Sequence, residues 1–394
     1  MPNYNRTIRA CFVASSVQSV VINFAPLLYL TFHNSYNIPL AKITLLVTIN
    51  FLLQLVVDAA SIGFVDRLGY RAGIVLAHAF SAAGLILMAL LPDVTPDPYT
   101  GLLIATVVYS MGSGLLEVLT SPIMEACPTK SKDRAMSLMH SFFCWGHMVV
   151  VLVSTLFFVI FGVENWKTLT LIWALVPLVN MINFARVPIA PLLKEGETGL
   201  SVRELIKNKL FWLMLLVMVC GGASEQSVSQ WASALAESGL GVSKTLGDLM
   251  GPMFFACTMG IARVFYSKAE GKISLERFML FCGVLCVVAY LLVALSPWPV
   301  VGLIGCGICG FSVGIFWPGT LSLASATLPR GGTMMFCLLA LAGDLGCSAG
   351  PTLAGMVSSA NGDNLQLGML FAVIFPAVLI FGLLVQRRMV KKGV

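Results

Sequence analysis

Apolar stretches long enough to cross a bilayer, twelve in all, alternate with short loops, and the positive charge is confined to every second loop. From Arg6 and Arg9 near the N-terminus to Arg387, Arg388, Lys391 and Lys392 near the C-terminus, 21 of the 24 Lys and Arg residues fall in one set of loops. The alternate set holds only Lys42, Lys167 and Lys244. Lys and Arg concentrate in cytoplasmic loops, so this sorting predicts twelve spans with both termini in the cytoplasm.

Composition leaves no room for another class. The chain is 58% hydrophobic and 11% charged, whereas soluble domains carry about 25% charged residues. A hydrocarbon core about 30 Å thick needs about 20 apolar residues per helix, and twelve such helices use most of the 394 residues. The net charge of +6 lies in the loops, where it sets orientation and meets anionic headgroups; no nucleic-acid face is expected. The first span follows Arg6 and Arg9 but is too long and too polar within for a signal-peptide core, and it reads as an uncleaved anchor. The cysteines lie almost wholly inside spans, where they act as small hydrophobes. Cys306 and Cys309 form a C-x-x-C with no accompanying His or third thiol, amid glycines that suit close helix packing. No metal, cofactor or enzymatic chemistry is expected, and no nucleotide-binding motif is present.

The spans are expected at 9–32, 39–64, 72–92, 99–122, 135–161 and 167–187, then at 209–235, 245–266, 275–296, 299–327, 333–358 and 366–387. The longest polar interval separates the two sixes, which predicts an all-α membrane fold of two pseudo-symmetric six-helix bundles: 1–187, a cytoplasmic linker 188–208, and 209–394. The halves echo one another weakly. Span 4 ends in Pro122 and Pro128, then basic residues, then a helix with Phe142, Cys144 and Gly146. Span 10 ends in Pro318 and Pro329, then Arg330, then a helix with Phe336, Cys337 and Gly343. Parallel repeats of this kind place a central site between bundles that rock against each other. Pro26, Pro122, Pro318 and Pro351 lie inside spans, where proline frees a backbone carbonyl and permits bending.

Four acids sit deep in apolar helices: Asp58, Glu117, Glu225 and Asp344. Each costs about 3 kcal/mol to insert, so each is expected to face a partner, water or a substrate. Polar neighbours recur at helical spacing: Ser15, Ser19 and Asn23 on span 1; Asn50, Gln54 and Asp58 on span 2; Ser110, Ser113, Gly114, Glu117 and Ser121 on span 4; Glu225, Gln226 and Ser229 on span 7. Four hydrophilic edges would wall an aqueous cavity. A carboxyl buried away from fixed cations takes up a proton near neutral pH, which suits Glu117 to proton coupling. Asp58 and Asp344, toward the cytoplasmic half, are candidate gate residues. His140 and His147 lie seven residues apart on one face of span 5, as helix–helix partners or a proton relay. Lys244 and Asp248 read as an exposed helix start.

In the loop after span 2, Asp66, Arg67, Leu68, Gly69, Tyr70 and Arg71 resemble the D-R-x-G-[RK]-[RK] part of the major facilitator superfamily signature, with Tyr70 replacing one basic residue. The resemblance implies that Asp66, Arg67 and Arg71 form a charge–dipole latch closing the cytoplasmic side. A narrower resemblance rests on four motifs. Gly114, Leu116, Glu117 and Pro122 resemble the G-x-L-E-x-x-x-N-P of the fucose-permease-type proton:sugar symporters, where the matching glutamate is a protonation site. Gly222, Glu225 and Trp231 resemble their G-x-x-E-x-x-x-x-x-W. His140, Phe143 and Gly146 are similar to their span 5 motif, and Gly310, Phe316 and Pro318 to that of span 10. The chain departs from the family in having Phe24 after Asn23, where an aspartate is usual, and Ser121 for asparagine. Trp231 also falls about 120° from Glu225 on an ideal helix.

Together these imply proton-coupled symport of a small polar solute, a sugar in the family resembled, by alternating access. Glu117 is the coupling acid, and Asn23, Gln54, Glu225, Gln226, Trp231, His140 and Trp145 are substrate contacts. The protein is expected to work as a monomer in a bacterial inner membrane. A drug or organic-cation antiporter of the same fold is the alternative, disfavoured because 135–161 contains no proline; a transport-dead nutrient sensor is the other.

Overall fold

The computed structural model describes residues 4–129, 132–190, 202–269, 273–328 and 331–391. The chain divides into two compact units, Met1–Lys194 and Glu195–Val394. Among the described residues there is no strand, and twelve helices are long and apolar enough to cross a membrane. Spans 1 to 6 are Tyr4–Tyr36, Leu40–Ala60, Tyr70–Val94, Pro98–Met124, Leu138–Phe161 and Val163–Arg186. Spans 7 to 12 are Lys209–Gly239, Lys244–Tyr266, Leu275–Leu295, Pro299–Thr327, Met334–Ala360 and Leu365–Val390. The expected linker lies partly outside the described residues, and its described part carries a short helix, Val202–Lys207.

Each unit repeats the other's packing. In the first, span 1 packs on spans 4, 5 and 6, span 4 on spans 2 and 3, and span 3 on span 6. In the second, span 7 packs on 10, 11 and 12, span 10 on 8 and 9, and span 9 on 12. The repeat that the proline and basic-residue pattern suggested is therefore a repeat of helix neighbours. Between helices in lipid, packing comes from close approach of small residues. A Cβ on Gly84 of span 3 would lie 2.5 Å from the Tyr109 backbone nitrogen of span 4, and one on Gly310 of span 10 would strike the Phe255 carbonyl of span 8.

Polar pins supplement this packing. On span 6, the Asn180 amide donates to Ala10 O of span 1 at 3.0 Å and contacts His78 Nε2 of span 3 at 2.9 Å. With Nε2 accepting, His78 Nδ1 carries the proton and donates to Ile74 O at 2.7 Å, so one neutral tautomer is fixed by its neighbours. In the second unit the Tyr290 hydroxyl of span 9 donates to Ser224 O of span 7 at 2.7 Å.

The prolines act unequally. Span 1 breaks at Phe24 into a short 3-10 turn, Ala25–Leu28, that contains Pro26. Span 10 breaks between Val313 and Phe316, just before Pro318. Pro122 and Pro351 instead sit inside continuous helices, Pro98–Ala126 and Gly332–Ala360. The span 10 break has a chemical cause: Pro318 has no N–H to offer the carbonyl four residues back, and that carbonyl, Gly314 O, accepts from Arg263 Nε at 3.2 Å.

The three lysines of the sparsely charged loops are each held locally. Lys42 lies 4.8 Å from the Tyr99 ring centroid, Lys167 pairs with Asp93 at 2.5 Å, and Lys244 pairs with Glu237 at 3.4 Å and Asp248 at 3.2 Å. Lys244 does start a helix, capped by Ser243. The expectation that Asp248 is exposed there is corrected: it is fully buried and accepts a hydrogen bond from Ser233. Helix Lys244–Asp248 folds back onto span 7, and sequence pattern does not reveal that return.

Overpacking a closed helix contact costs about 1–3 kcal/mol. Gly84→Val is therefore expected to lower the apparent melting temperature of the purified protein; an unchanged value would show that spans 3 and 4 are not in backbone contact.

Candidate functional site

In the first unit the polar edges of spans 2 and 4 are joined. Ser113 Oγ donates to Gln54 Oε1 at 3.2 Å, Gln54 Nε2 to Asn50 Oδ1 at 3.1 Å, and Ser110 Oγ to the same Asn50 oxygen at 2.7 Å. Gln54 is 2% exposed. In this conformation its amide therefore serves helix pairing rather than an open wall. The i, i+4 stripes that suggested a cavity lining are here a zipper: each residue offers the donor or acceptor that the next one lacks.

One turn further along span 4, Glu117 is only half-buried. Gln18 Nε2, from span 1, donates to Glu117 Oε2 at 3.1 Å. Gln18 escaped the sequence reading because it sits one residue, or about 100°, off the Ser15–Ser19–Asn23 stripe. Its signal is a long amide side chain within a membrane span. Asn23 is buried, and its own amide turns back to Ser19 O at 3.0 Å. Asp58 is buried on span 2.

In the second unit, span 7 carries an amide ladder that ends on a carboxylate. Gln230 Nε2 donates to Gln226 Oε1 at 3.1 Å, and Gln226 Nε2 lies 3.3 Å from Glu225 Oε1. Arg263 lies on span 8. Arg263 was counted as a topology-setting loop residue. Instead it is half-buried in helix Phe254–Ala269, bound to Gly314 O at the span 10 break. A side chain of span 8 thus meets the freed carbonyl of span 10.

Trp231 does not share that edge. Span 7 stays α-helical through Ala234 and changes only at the π-turn Leu235–Gly239, so the indole keeps its offset from Glu225. It is fully buried and donates from Nε1 to Pro351 O of span 11 at 3.0 Å. Asp344 is buried on span 11. On span 5, Trp145 is half-exposed and His140 exposed, whereas His147, on the same helical face, is 2% exposed. Phe142 of that span stacks on Phe12 of span 1, with centroids 4.7 Å apart.

The side chains of Asp66 and Arg67 lie outside the described residues. Arg71 is described, and its Nη1 donates to the carbonyls of Phe184 and Ala185 at 2.9 and 3.0 Å. It caps the C-terminal carbonyls of span 6, where the helix dipole favours a cation.

Phenylalanine at position 231 keeps the aromatic body but loses the N–H, leaving Pro351 O without that donor at a cost of about 1–3 kcal/mol. Trp231→Phe is expected to lower thermal stability while leaving the KM for transport within about twofold, since a residue committed to packing does not alter solute binding. A KM rise of an order of magnitude with unchanged stability would place the indole in contact with the solute.

Comparison with known proteins agrees with this architecture. No curated protein sequence is similar enough to match. Among solved structures, a bacterial homolog of the human lysosomal transporter Spinster, inward-facing and occupied, is similar with a TM-score of 0.76 at 15% identity, over 98% of this chain and 97% of that one. A mutant of the nucleoside transporter NupG gives 0.77 at 14% identity, over 96% and 99%. The E. coli fucose:proton symporter FucP gives 0.66 at 15% identity, over 96% and 98%. At such identities the likeness establishes the fold. The family model described as Major Facilitator Superfamily matches residues 10–351, and the chain, a multi-pass membrane transporter rather than an enzyme, belongs to that superfamily.

Proposed function

We propose that this transporter moves a small, uncharged polar solute in symport with protons. The observation that carries the reading is the half-buried Glu117 carboxylate, met by the neutral amide of Gln18 at 3.1 Å. A carboxyl hydrogen-bonded to an amide takes up and releases a proton, and intramembrane acids are expensive enough to be kept for such work. Glu117 is then the coupling group.

Glu225 and Gln226 supply an acceptor and an amide for the solute's hydroxyls. The antiporters of this fold carry a proline-bearing motif in span 5, and its absence from 135–161 favours symport over drug antiport. Sugars and nucleosides fit this chemistry, and two of the similar structures are described as a fucose:proton symporter and a nucleoside transporter. Proton and solute drive the cycle through their differential affinity for the two facings, with Asp66, Arg67, Asp58 and Asp344 as gating residues. The charge sorting supports a bacterial inner-membrane orientation with both termini cytoplasmic.

Adding neutral hexoses or ribonucleosides to a weakly buffered suspension of cells expressing the protein is expected to alkalinise the medium with at least one of them. Glu117→Gln should abolish accumulation against a gradient while preserving exchange of labelled solute across the membrane. Accumulation that survives in this variant would remove Glu117 from the coupling role, and acidification by organic cations would point to antiport.

A further inference from the structure

Where spans 1 and 6 meet at the arginine-rich end of the first unit there is a cavity of about 190 Å³, lined by Arg6, Arg9, Ala10, Val13, Asn183 and Val187. The proposed transport cycle uses none of these residues. Arg6 and Arg9 stand one turn apart on span 1, exposed, and no acidic residue lies in the first turn of that helix. Among the described residues, neither guanidinium has a hydrogen-bond acceptor or a carboxylate partner, and the lining contains no acid. The contrast with the opposite end of this unit is sharp, since Lys42 there lies against a ring and Lys167 pairs with a carboxylate. Two like charges one helical turn apart repel each other. That repulsion is relieved by an anion shared between them.

The remaining lining residues narrow the kind of anion. Ala10, Val13 and Val187 give the cavity an apolar wall, and Asn183 adds an amide. The walls are held in place: Thr7 Oγ1 donates to Pro188 O at 2.6 Å, pinning the chain as it leaves span 6, and Arg71 caps the carbonyls beside Asn183. A charged mouth over an apolar wall, at the point where an apolar span begins, matches a ligand that is itself anionic at one end and hydrocarbon at the other. Basic pockets between spans bind anionic headgroups on this physical ground.

We propose that this cavity binds the phosphodiester headgroup of an anionic phospholipid from the adjoining leaflet. Arg6 and Arg9 take the phosphate oxygens through their planar N–H forks, the Asn183 amide meets the headgroup, and an acyl chain leaves past Val13, the partly exposed apolar residue of the lining. The proposal rests on the chain's spanning a membrane and is independent of the symport reading.

The test uses the full-length protein purified in detergent, with bound lipid counted by native mass spectrometry. Phosphatidylglycerol and phosphatidylcholine of identical acyl chains are the probes. The wild type is expected to retain phosphatidylglycerol in preference to phosphatidylcholine. The double variant Arg6→Gln, Arg9→Gln should retain it roughly thirtyfold less well, from about 1 kcal/mol per basic residue at an anionic surface. These arginines also help orient the chain. Arg6→Lys with Arg9→Lys therefore provides a second variant that keeps charge and topology but loses the fork, and it should retain less phosphatidylglycerol than the wild type. Equal retention by the wild type and either double variant overturns the proposal, as does equal retention of the two lipids. Displacement of the bound lipid by millimolar inorganic phosphate would reassign the cavity to a soluble anion and overturn it as well.

Discussion

A polar atom inside a bilayer has no water to bond, so every donor and acceptor on these helices must find its partner within the protein or in an aqueous opening. Most of what distinguishes the two units follows from how that constraint is met. Ser110, Asn50, Gln54 and Ser113 meet it by joining spans 2 and 4. Asn180 and His78 meet it by tying span 6 to spans 1 and 3. Such bonds contribute on the order of 1 kcal/mol each in membranes, modest singly. They specify which faces meet where apolar packing alone would tolerate rotation.

The same constraint turns a defect into a connection. Pro318 cannot complete the helix, so Gly314 offers a carbonyl that the backbone leaves unused, and Arg263 fills it. In the first unit the Gln18 amide meets Glu117. The repeat is thus symmetric in helix neighbours and asymmetric in chemistry.

The fold was legible in the sequence because its signals are local and repeated. Twenty apolar residues make a span wherever they occur, and basic residues sort by side of the membrane however the helices pack. The site was legible only in outline. Glu117 and Glu225 stand out as acids in apolar helices. Gln18 and Arg263 do not, since one lies off its helix's polar stripe and the other looks like a boundary charge. Trp231 carries a family-like motif, yet its N–H is bonded to Pro351 O. The motif records the residue and its spacing but not the helix it faces.

His140 and His147 separate the two levels of information. Their seven-residue spacing fixes that both point the same way from span 5, and the sequence alone determines this much, as it determines twelve spans and which positions are polar. Only the tertiary structure leaves one exposed and seals the other, closes the Asn50–Gln54 edge against span 4, and buries Asp248 beside Ser233. Helical periodicity sets a side chain's direction about its own axis. What it meets there depends on the depth, rotation and neighbours of other helices, which are set by contacts between residues far apart in the chain.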